Sequence, residues 1–262
     1  MTPSRSAVGF RFWLITLAAV AGMLVTASLG RWQLSRAAQK EALQAMQDAR
    51  GRMPPIDGNA LFSPAGEVAD GVVQPLLHRA VVLQGRWLPE STVYLDNRQM
   101  QGRPGFYVVT PLRLAGLDNV VVLVQRGWVP RNFEDRTQLP PVTTPQGTVV
   151  RVEGRMAAAP SRLYEFQGAG GAQEGSSRIR QNLDLAAFRT ETGLALADFT
   201  VLQTGPGAGE GLLRDWPVVG TGVEKHYGYA FQWFGLCGLI ALLYVWFQIV
   251  RRFIRPRSQP AA

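Results

Sequence analysis

The chain has 262 residues, of which 47% are hydrophobic, and a formal net charge of +8. Residues 1–30 carry +2 of this charge and residues 227–262 carry +4, which leaves +2 on residues 31–226. A nucleic-acid-binding protein concentrates positive charge on its folded domain, so this distribution argues against a nucleic-acid partner.

Two apolar runs predict transmembrane helices at residues 12–30 and 227–250. The uncharged residues 12–29 and 227–250 would be roughly 27 Å and 36 Å long at 1.5 Å per residue, which matches a hydrocarbon core of about 30 Å. A cleaved signal peptide is the alternative for the first run, although its apolar stretch exceeds the length usual in such peptides. The membrane is therefore an expected partner of this chain.

The orientation follows from the tails, residues 1–11 and 251–262. Four arginines lie in the second tail, and positive residues collect on the cytoplasmic side of a membrane. We therefore expect a multi-pass protein of the bacterial inner membrane, with both tails in the cytoplasm and residues 31–226 in the periplasm. The single cysteine, Cys237, excludes an intramolecular disulfide and any C-x-x-C thiol chemistry.

Residues 31–52 are rich in Ala, Gln, Glu and Leu, and predict a helical extension of the first span. The apolar face of this extension is thin, and we expect it to lie against the domain or a partner. That face consists of Leu34, Ala38, Ala42, Leu43, Ala45 and Met46.

Residues 76–156 are expected to be β-rich. Five short runs of β-branched and aromatic residues alternate with turn formers, and predict an antiparallel meander that forms a sandwich or a small barrel. The runs are RAVVLQGRWL, STVYLD, GFYVVTPLRL, NVVVLVQRGWV and GTVVRVEGRM. The predicted fold class is an α+β membrane protein, in which two transmembrane helices flank a mainly antiparallel β domain.

A further helix is predicted near residues 183–193, with Asn182 or Asp184 as its cap and Gly193 at its end. Two glycine-rich stretches, GAGGAQEGSS and TGPGAGEG, flank this region. Neither fits a phosphate-binding motif, so both are interpreted as connectors.

The sequence contains no G-x-S-x-G and no H-E-x-x-H motif, and its two histidines, His78 and His226, fit no metal-ligand spacing. We therefore predict that the chain is not an enzyme. A membrane-anchored hydrolase that uses external carboxylates stays as an alternative, and it requires two acids that face one pocket.

Two strand ends carry an unusual set of side chains: Asp96, Asn97 and Arg98 on one, and Arg126, Gly127 and Trp128 on the other. If these strands pair, an Arg–Asp ion pair can form with Trp128 or Phe106 stacked on the guanidinium. The six residues either dock a partner or fix the strand ends and a turn.

His226 heads the second apolar run, and helical spacing places His226, Tyr229, Trp233 and Cys237 on one face. A flat macrocycle such as haem fits a face of this kind, with histidine as its axial ligand. The alternative is an aromatic belt with a packing stripe, in which Ala18, Ala21 and Gly22 of the first span meet Gly235 and Gly238 of the second.

Four motifs in this order, together with the two-span layout, resemble the Surfeit locus protein one family. They are LGRWQLSRAAQKEAL, LDNRQMQGRPGFYVVTPLRL, VLVQRGWVP and HYGYAFQWFGL, and the resemblance covers nearly the whole chain. The family's R-G-W motif corresponds to Arg126, Gly127 and Trp128, and the histidine at the head of its second span to His226.

The resemblance implies an assembly factor for cytochrome c oxidase, a haem-copper terminal oxidase, with no established catalytic reaction. Its expected cofactor is haem a, bound transiently with His226 on the iron and with Tyr229 and Trp233 beside it. Its expected partners are the catalytic subunit of the oxidase and haem a synthase. The alternative is a scaffold that holds oxidase subunits without binding haem. A second axial ligand would come from His78, from another chain or from solvent.

Overall fold

The computed structural model describes residues 9–69, 71–117, 119–132, 134, 138–163, 177–205, 210–217 and 222–254. The chain divides into two compact units. The helical unit consists of Met1–Ala45 and Val219–Ala262, and the β unit consists of Met46–Val218. Most of both predicted tails and of the first glycine-rich connector, and half of the second, lies outside the described residues.

Two long helices build the helical unit. Helix α1 runs without interruption over Phe10–Gly51, and α4 covers Val223–Tyr244 and continues as a π-helix over Val245–Ile254. Both are long and apolar enough to cross a membrane. The predicted extension of the first span is thus a direct continuation of the same helix, because no proline or glycine interrupts residues 31–50.

The two helices are antiparallel neighbours. The hydroxyls of Thr16 and Tyr244 are 2.9 Å apart, and His226 contacts Gln33 near the other end of the pair. Shielded positions recur every three or four residues along both helices, as in a coiled-coil seam. On α1 they include Thr16, Met23, Thr26, Gly30, Gln33 and Ala37, and on α4 they include His226, Ala230, Trp233, Cys237 and Tyr244.

The β unit contains eight strands, two short α-helices and two single-turn 3-10 helices (Asn59–Leu61 and Pro89–Ser91) among its described residues. The elements are β1 (Ile56–Asp57), α2 (Val73–Leu76), β2 (Ala80–Trp87), β3 (Val93–Met100), β4 (Arg103–Leu114), β5 (Val121–Pro130), β6 (Val150–Ala157), β7 (Ile179–Arg180), α3 (Leu185–Thr192) and β8 (Leu196–Gln203). The five predicted strands correspond to β2 to β6.

The strands β2, β6, β8, β5 and β4 close into a five-stranded barrel, because β2 pairs with both β6 and β4. Closure occurs at Gly85, which pairs with Val150 on one side and Leu114 on the other. A Cβ atom at this position would lie 2.3 Å from the carbonyl oxygen of Arg113, so only glycine lets the two strands meet here.

The barrel confirms one of the two predicted architectures, but the predicted meander holds only for β3, β4 and β5, because β6 pairs with β2 and β8 instead of β5. Strand β8 was not predicted, and it enters the sheet between β5 and β6 and runs parallel to β5. A parallel pair needs a long crossover, and here residues 131–195 supply it.

Strands β4 and β5 are buried on both faces, which explains their nearly continuous apolar sequences. One face lines the barrel core with Leu112, Val122 and Val124. The other packs against Phe188 of α3. Helix α3 begins at Asp184, whose carboxylate accepts hydrogen bonds from two backbone amides, and ends at Gly193 in the left-handed conformation, as predicted.

Candidate functional site

His226 lies in the first turn of α4, on the side that faces α1. Its Nδ1 atom is 2.7 Å from Oε1 of Gln33. An amide oxygen only accepts hydrogen bonds, so this contact requires the proton on Nδ1, and a ring with a single proton would then have its lone pair on Nε2. Among the described residues, none forms a hydrogen bond with Nε2.

The helices approach closely around this pair. Ala37 and Ala230, both fully buried, are the small residues next to Gln33 and His226 along the seam. One turn before Gln33, a Cβ atom on Gly30 would lie 2.8 Å from the ring of Phe234. A second polar contact follows at Tyr227, whose hydroxyl donates to Glu41 over 2.9 Å. Small residues that let backbones approach, with polar contacts between them, are typical of paired membrane helices.

The predicted aromatic face divides between two environments. Ala230, Trp233 and Cys237 turn toward α1, and the Cys237 thiol lies 3.5 Å from the carbonyl oxygen of Met23. Tyr229 points away from the seam, and 51% of its surface is exposed. The face therefore provides part of the helix–helix contact, and its flank beside Tyr229 stays open.

Of the small residues that the sequence suggested for the helix contact, only Gly22 takes part. Gly22 contacts α4, since a Cβ atom on Gly22 would lie 3.4 Å from the side chain of Ile240. Gly235 and Gly238 have no such neighbour within 4 Å, and Ala18 and Ala21 are exposed. Helix α4 is therefore rotated about its axis relative to the prediction. Its partly buried residues around the two glycines are Trp233, Cys237 and Ile240, and the glycines themselves are exposed.

The donor set at His226 fits a metal-centred macrocycle better than a bare metal ion. Within the part of the chain that the structure describes, no group of three or more His, Cys, Asp or Glu side chains converges. A metal bound by Nε2 would therefore bring most of its ligands with it, as the iron of haem does. Within the described residues, Nε2, the nitrogen that would bind iron, has no hydrogen-bond partner, and Nδ1 contacts Gln33.

Arg126 is the inserted residue of a β-bulge, because Gln125 pairs with Val109 and Gly127 with Val108. The bulge re-aims its side chain, which is 0% exposed and whose guanidinium lies 4.7 Å from the centre of the Trp87 ring. Burial lowers the pKa of Arg126, and the nearby Glu210 acts in the opposite direction.

The guanidinium of Arg126 joins three segments of the β unit. It pairs with Glu210 at 3.0 Å and donates to the carbonyl oxygen of Thr143 at 3.0 Å and to the hydroxyl of Thr144. Arg214 completes the cluster by donating to the carbonyl oxygen of Arg126 over 2.7 Å and by pairing with Glu210. Two loops are thus held against β5 by charge-assisted hydrogen bonds.

Gly127 and Trp128 complete the same attachment. A Cβ atom on Gly127 would lie 2.8 Å from the carbonyl oxygen of Leu213, so the loop reaches β5 only at a glycine. Trp128 exchanges two backbone hydrogen bonds with Leu213, and its ring nitrogen donates to the carbonyl oxygen of Arg98 over 2.9 Å. Its side chain is fully buried.

The other strand end is also largely internal. Arg98 is buried, donates to the carbonyl oxygen of Gln181 at 2.9 Å and lies over the ring of Tyr107. Burial lowers its pKa. Asn97 adopts a left-handed conformation, with φ of 58°, at the bulge between Leu95 and Arg98.

Asp96 forms the expected ion pair with an arginine, but that arginine is Arg131. Arg131 also lies over the ring of Phe106, 5.4 Å from its centre. The arginines of the two predicted strand ends, Arg98 and Arg126, do not form this pair, and the bulge directs Arg126 to Trp87. Because Arg98, Arg126 and Trp128 are buried, the geometry favours their role in holding the β unit together over direct contact with a partner.

His78 precedes β2 in the β unit and has a left-handed backbone, with φ of 70°. Burial is the main cause that lowers its pKa, and Arg155 and Arg50 lower it further. Its side chain is therefore neutral at neutral pH.

Glu67 and Asp198 line one cavity of about 530 Å³ beside the start of β8. This is the arrangement of acids that the hydrolase alternative needs. The carboxylate of Asp198 is already paired with Arg189 at 2.7 Å and is largely exposed to solvent. It therefore resembles a solvated ion pair more than a desolvated general acid.

Gln33 is the main residue of this site that the sequence did not indicate. The signal was present, since Gln33 is a polar residue within the repeating stripe of small and apolar residues on α1. Its partner is 193 positions away, and the sequence alone does not reveal which helix faces meet.

Comparison with known proteins gives one family over most of the chain. The model of the SURF1 family matches residues 20–238. A SURF1-like protein of Rickettsia felis is 27% identical over 224 residues, which cover 83% of this chain and 89% of the relative.

Two eukaryotic relatives match less extensively. Surfeit locus protein 1 of Arabidopsis thaliana is 33% identical over 122 residues, 44% of this chain and 33% of its own length. The cytochrome oxidase assembly protein SHY1 of Saccharomyces cerevisiae is 23% identical over 205 residues, 78% of this chain and 47% of its own length.

Proposed function

The chain belongs to the SURF1 family, and we propose that it assists the assembly of a haem-copper terminal oxidase by binding haem a transiently through His226. The coarse part of this proposal, a role in cytochrome oxidase assembly, is supported by the family and by the name of the yeast relative. The observation that supports the finer part is the contact between Nδ1 of His226 and Gln33, since Nε2 has no hydrogen-bond partner among the residues that the structure describes.

The proposed binding site is the exposed side of α4 at Tyr229, next to the side that faces α1. When bound, haem a supplies an iron atom that accepts a nitrogen ligand and a porphyrin that needs an apolar surface. His226 would provide the nitrogen through Nε2, while Tyr229 and Trp233 would provide aromatic surface on the same turns of α4. No catalytic reaction is proposed, and the protein would hold the cofactor until the catalytic subunit of the oxidase accepts it.

The β unit would present a rigid surface to which partner proteins bind. We propose that these partners are the catalytic subunit of the oxidase and haem a synthase. The buried cluster of Arg126, Glu210 and Trp128 supports this role because it fixes two loops against β5. We further propose that the two apolar helices anchor the chain in the bacterial inner membrane, with the β unit in the periplasm and both ends in the cytoplasm. The charge of the tails supports that orientation.

A scaffold without haem is the second candidate. The observation in its favour is that Trp233 and Cys237, two members of the predicted face, turn toward α1. On this alternative, His226 and Gln33 are simply a polar contact that aligns the helices.

Oxidase assembly in cells that carry His226→Ala distinguishes the two candidates. The proposal predicts that the catalytic subunit still co-purifies with the variant but contains less haem a than in cells with the unchanged chain. The matched control is Gln39→Ala, which changes an exposed residue of α1. Equal haem a in the catalytic subunit for His226→Ala and Gln39→Ala would favour the scaffold.

A further inference from the structure

We propose that Gln33 is a positioning residue, which selects the tautomer of His226 and aims Nε2 of its ring toward the iron. The inference rests on the proposed function, in which His226 is the ligand. It goes beyond that function because it assigns a role to α1, whose residues do not touch the iron.

The hydrogen bond sets the tautomer. Oε1 of Gln33 lies 2.7 Å from Nδ1 of His226, and because this oxygen accepts only, it holds the proton on Nδ1. A neutral imidazole has one remaining lone pair, and it is then on Nε2, the nitrogen that would bind iron. The opposite tautomer would place a proton on Nε2 and a lone pair against the amide oxygen.

The contact also fixes the direction of the ring. Histidines that bind metals usually donate the hydrogen of their other ring nitrogen to an oxygen, and this second contact holds the ring plane and increases the basicity of the ligand nitrogen. Gln33 supplies such an oxygen from a neighbouring helix. A residue on α4 would move with His226, whereas Gln33 holds the ring relative to α1.

The surrounding contacts between α1 and α4 hold this arrangement in place. Gly30 lies against the Phe234 ring on one side of the pair, and the hydroxyl of Tyr227 donates to Glu41 on the other. Ala37 and Ala230, one turn beyond Gln33 and His226 on their own helices, are fully buried. The rotation of both helices is therefore fixed at this level by contacts that do not involve the imidazole, so the site is prepared before any ligand arrives.

The tautomer is measurable without haem. The full chain carrying His78→Asn retains one histidine, His226, and its ring nitrogens are visible by ¹⁵N NMR after labelling and reconstitution in lipid nanodiscs. The inference predicts a protonated Nδ1 and an unprotonated Nε2 at pH 8. Adding Gln33→Leu, which removes the acceptor with little change in size, should give a mixture of both tautomers. A protonated Nε2 in the chain with Gln33 intact would overturn the inference.

Titration with hemin then tests the consequence for binding. Gln33→Leu should weaken hemin binding about 10- to 100-fold, the usual effect of losing such a contact. Gln33→Glu should restore binding, because a carboxylate also accepts from Nδ1, and it should make the reduction potential of the bound iron more negative. Equal affinity in all three chains would contradict the role of Gln33.

The two proposals fail in different ways. If His226→Ala binds hemin as tightly as the unchanged chain, the ligand role of His226 fails, and the NMR result still reports on the hydrogen bond with Gln33. If only the Gln33 variants behave like the unchanged chain, His226 remains the ligand and the positioning role alone is contradicted.

Discussion

Arg126 and Glu210 form an ion pair at 3.0 Å in which the arginine side chain is 0% exposed and the glutamate 10%. Such a pair is costly to break, because removal of one partner leaves the other charge buried without compensation. We expect Glu210→Gln to destabilise the β unit by about 3–5 kcal/mol in chemical unfolding of the full chain.

A matched control is available in the pair between Arg151 and Glu153, whose side chains are 60% and 51% exposed. Glu153→Gln should cost less than about 1 kcal/mol, since solvent screens exposed ion pairs. Similar losses for the two variants would mean that the Arg126 cluster does not hold the two loops.

Gly105 tests the packing beneath Trp128. A Cβ atom at this position would lie 2.2 Å from the carbonyl oxygen of Val129 and 2.5 Å from the Trp128 ring. Gly105→Ala should therefore cost about 3 kcal/mol or prevent folding, since backbone and a buried indole must both move.

Gly116→Ala is the comparison for that variant, because a Cβ atom there meets nothing within 4 Å. Its left-handed backbone, with φ of 77°, should limit the loss to about 1–2 kcal/mol. Thermal unfolding monitored by tryptophan fluorescence measures both. If Gly116→Ala were the more damaging of the two, the proposed close contact at Gly105 would be wrong.

His78 should make stability depend on pH. Because its pKa is lowered in the folded state, mainly by burial, its contribution to stability is complete above the unfolded pKa of about 6.5. That contribution decreases as the pH falls from about 6.5 toward the folded pKa, since the unfolded chain then binds the extra proton. The unfolding free energy should decline more steeply below pH 6.5 in the unchanged chain than in His78→Asn.

Asparagine suits this comparison because it tolerates the left-handed backbone of residue 78. Unfolding by urea at several pH values between 8 and 5 provides the measurement. Parallel curves for the two chains would show that His78 is not the group responsible.

Gly30 and Gly235 form a second pair of glycines for comparison, this time in the helical unit. Gly30→Leu should cost about 1–3 kcal/mol, because its side chain would overlap the ring of Phe234. Gly235→Leu should leave the stability nearly unchanged, since a Cβ atom on Gly235 would meet no described neighbour within 4 Å. Thermal unfolding in detergent compares them, and equal stability would contradict the helix pairing at Gly30.

The sequence predicted those elements whose signal is local. Strands β2 to β6 and helix α3 follow from alternation, turn residues and caps, as Asp184 and Gly193 illustrate. Strand β8 has a comparable composition, but it follows the end of α3 closely, and its parallel pairing with β5 is a long-range contact. Composition alone does not reveal such a pairing.

The candidate site was predictable only in part, for the same reason. His226 stood out because of its place at the head of an apolar run, but its contact with Gln33 depends on which faces of two distant helices meet. Similarly, the bulge at Arg126 changes the direction of one side chain, so Asp96 pairs with Arg131 instead. A one-residue insertion in a strand leaves no clear trace in the sequence.

The central claim, that His226 binds the iron of haem a, is tested most directly by the absorption spectrum of the full chain purified from cells that make haem a. The account predicts a haem a spectrum for the unchanged chain and for Gln39→Ala, an exposed position of α1, and its loss from His226→Ala, which should remain folded. Equal haem content in His226→Ala and the unchanged chain would contradict the claim.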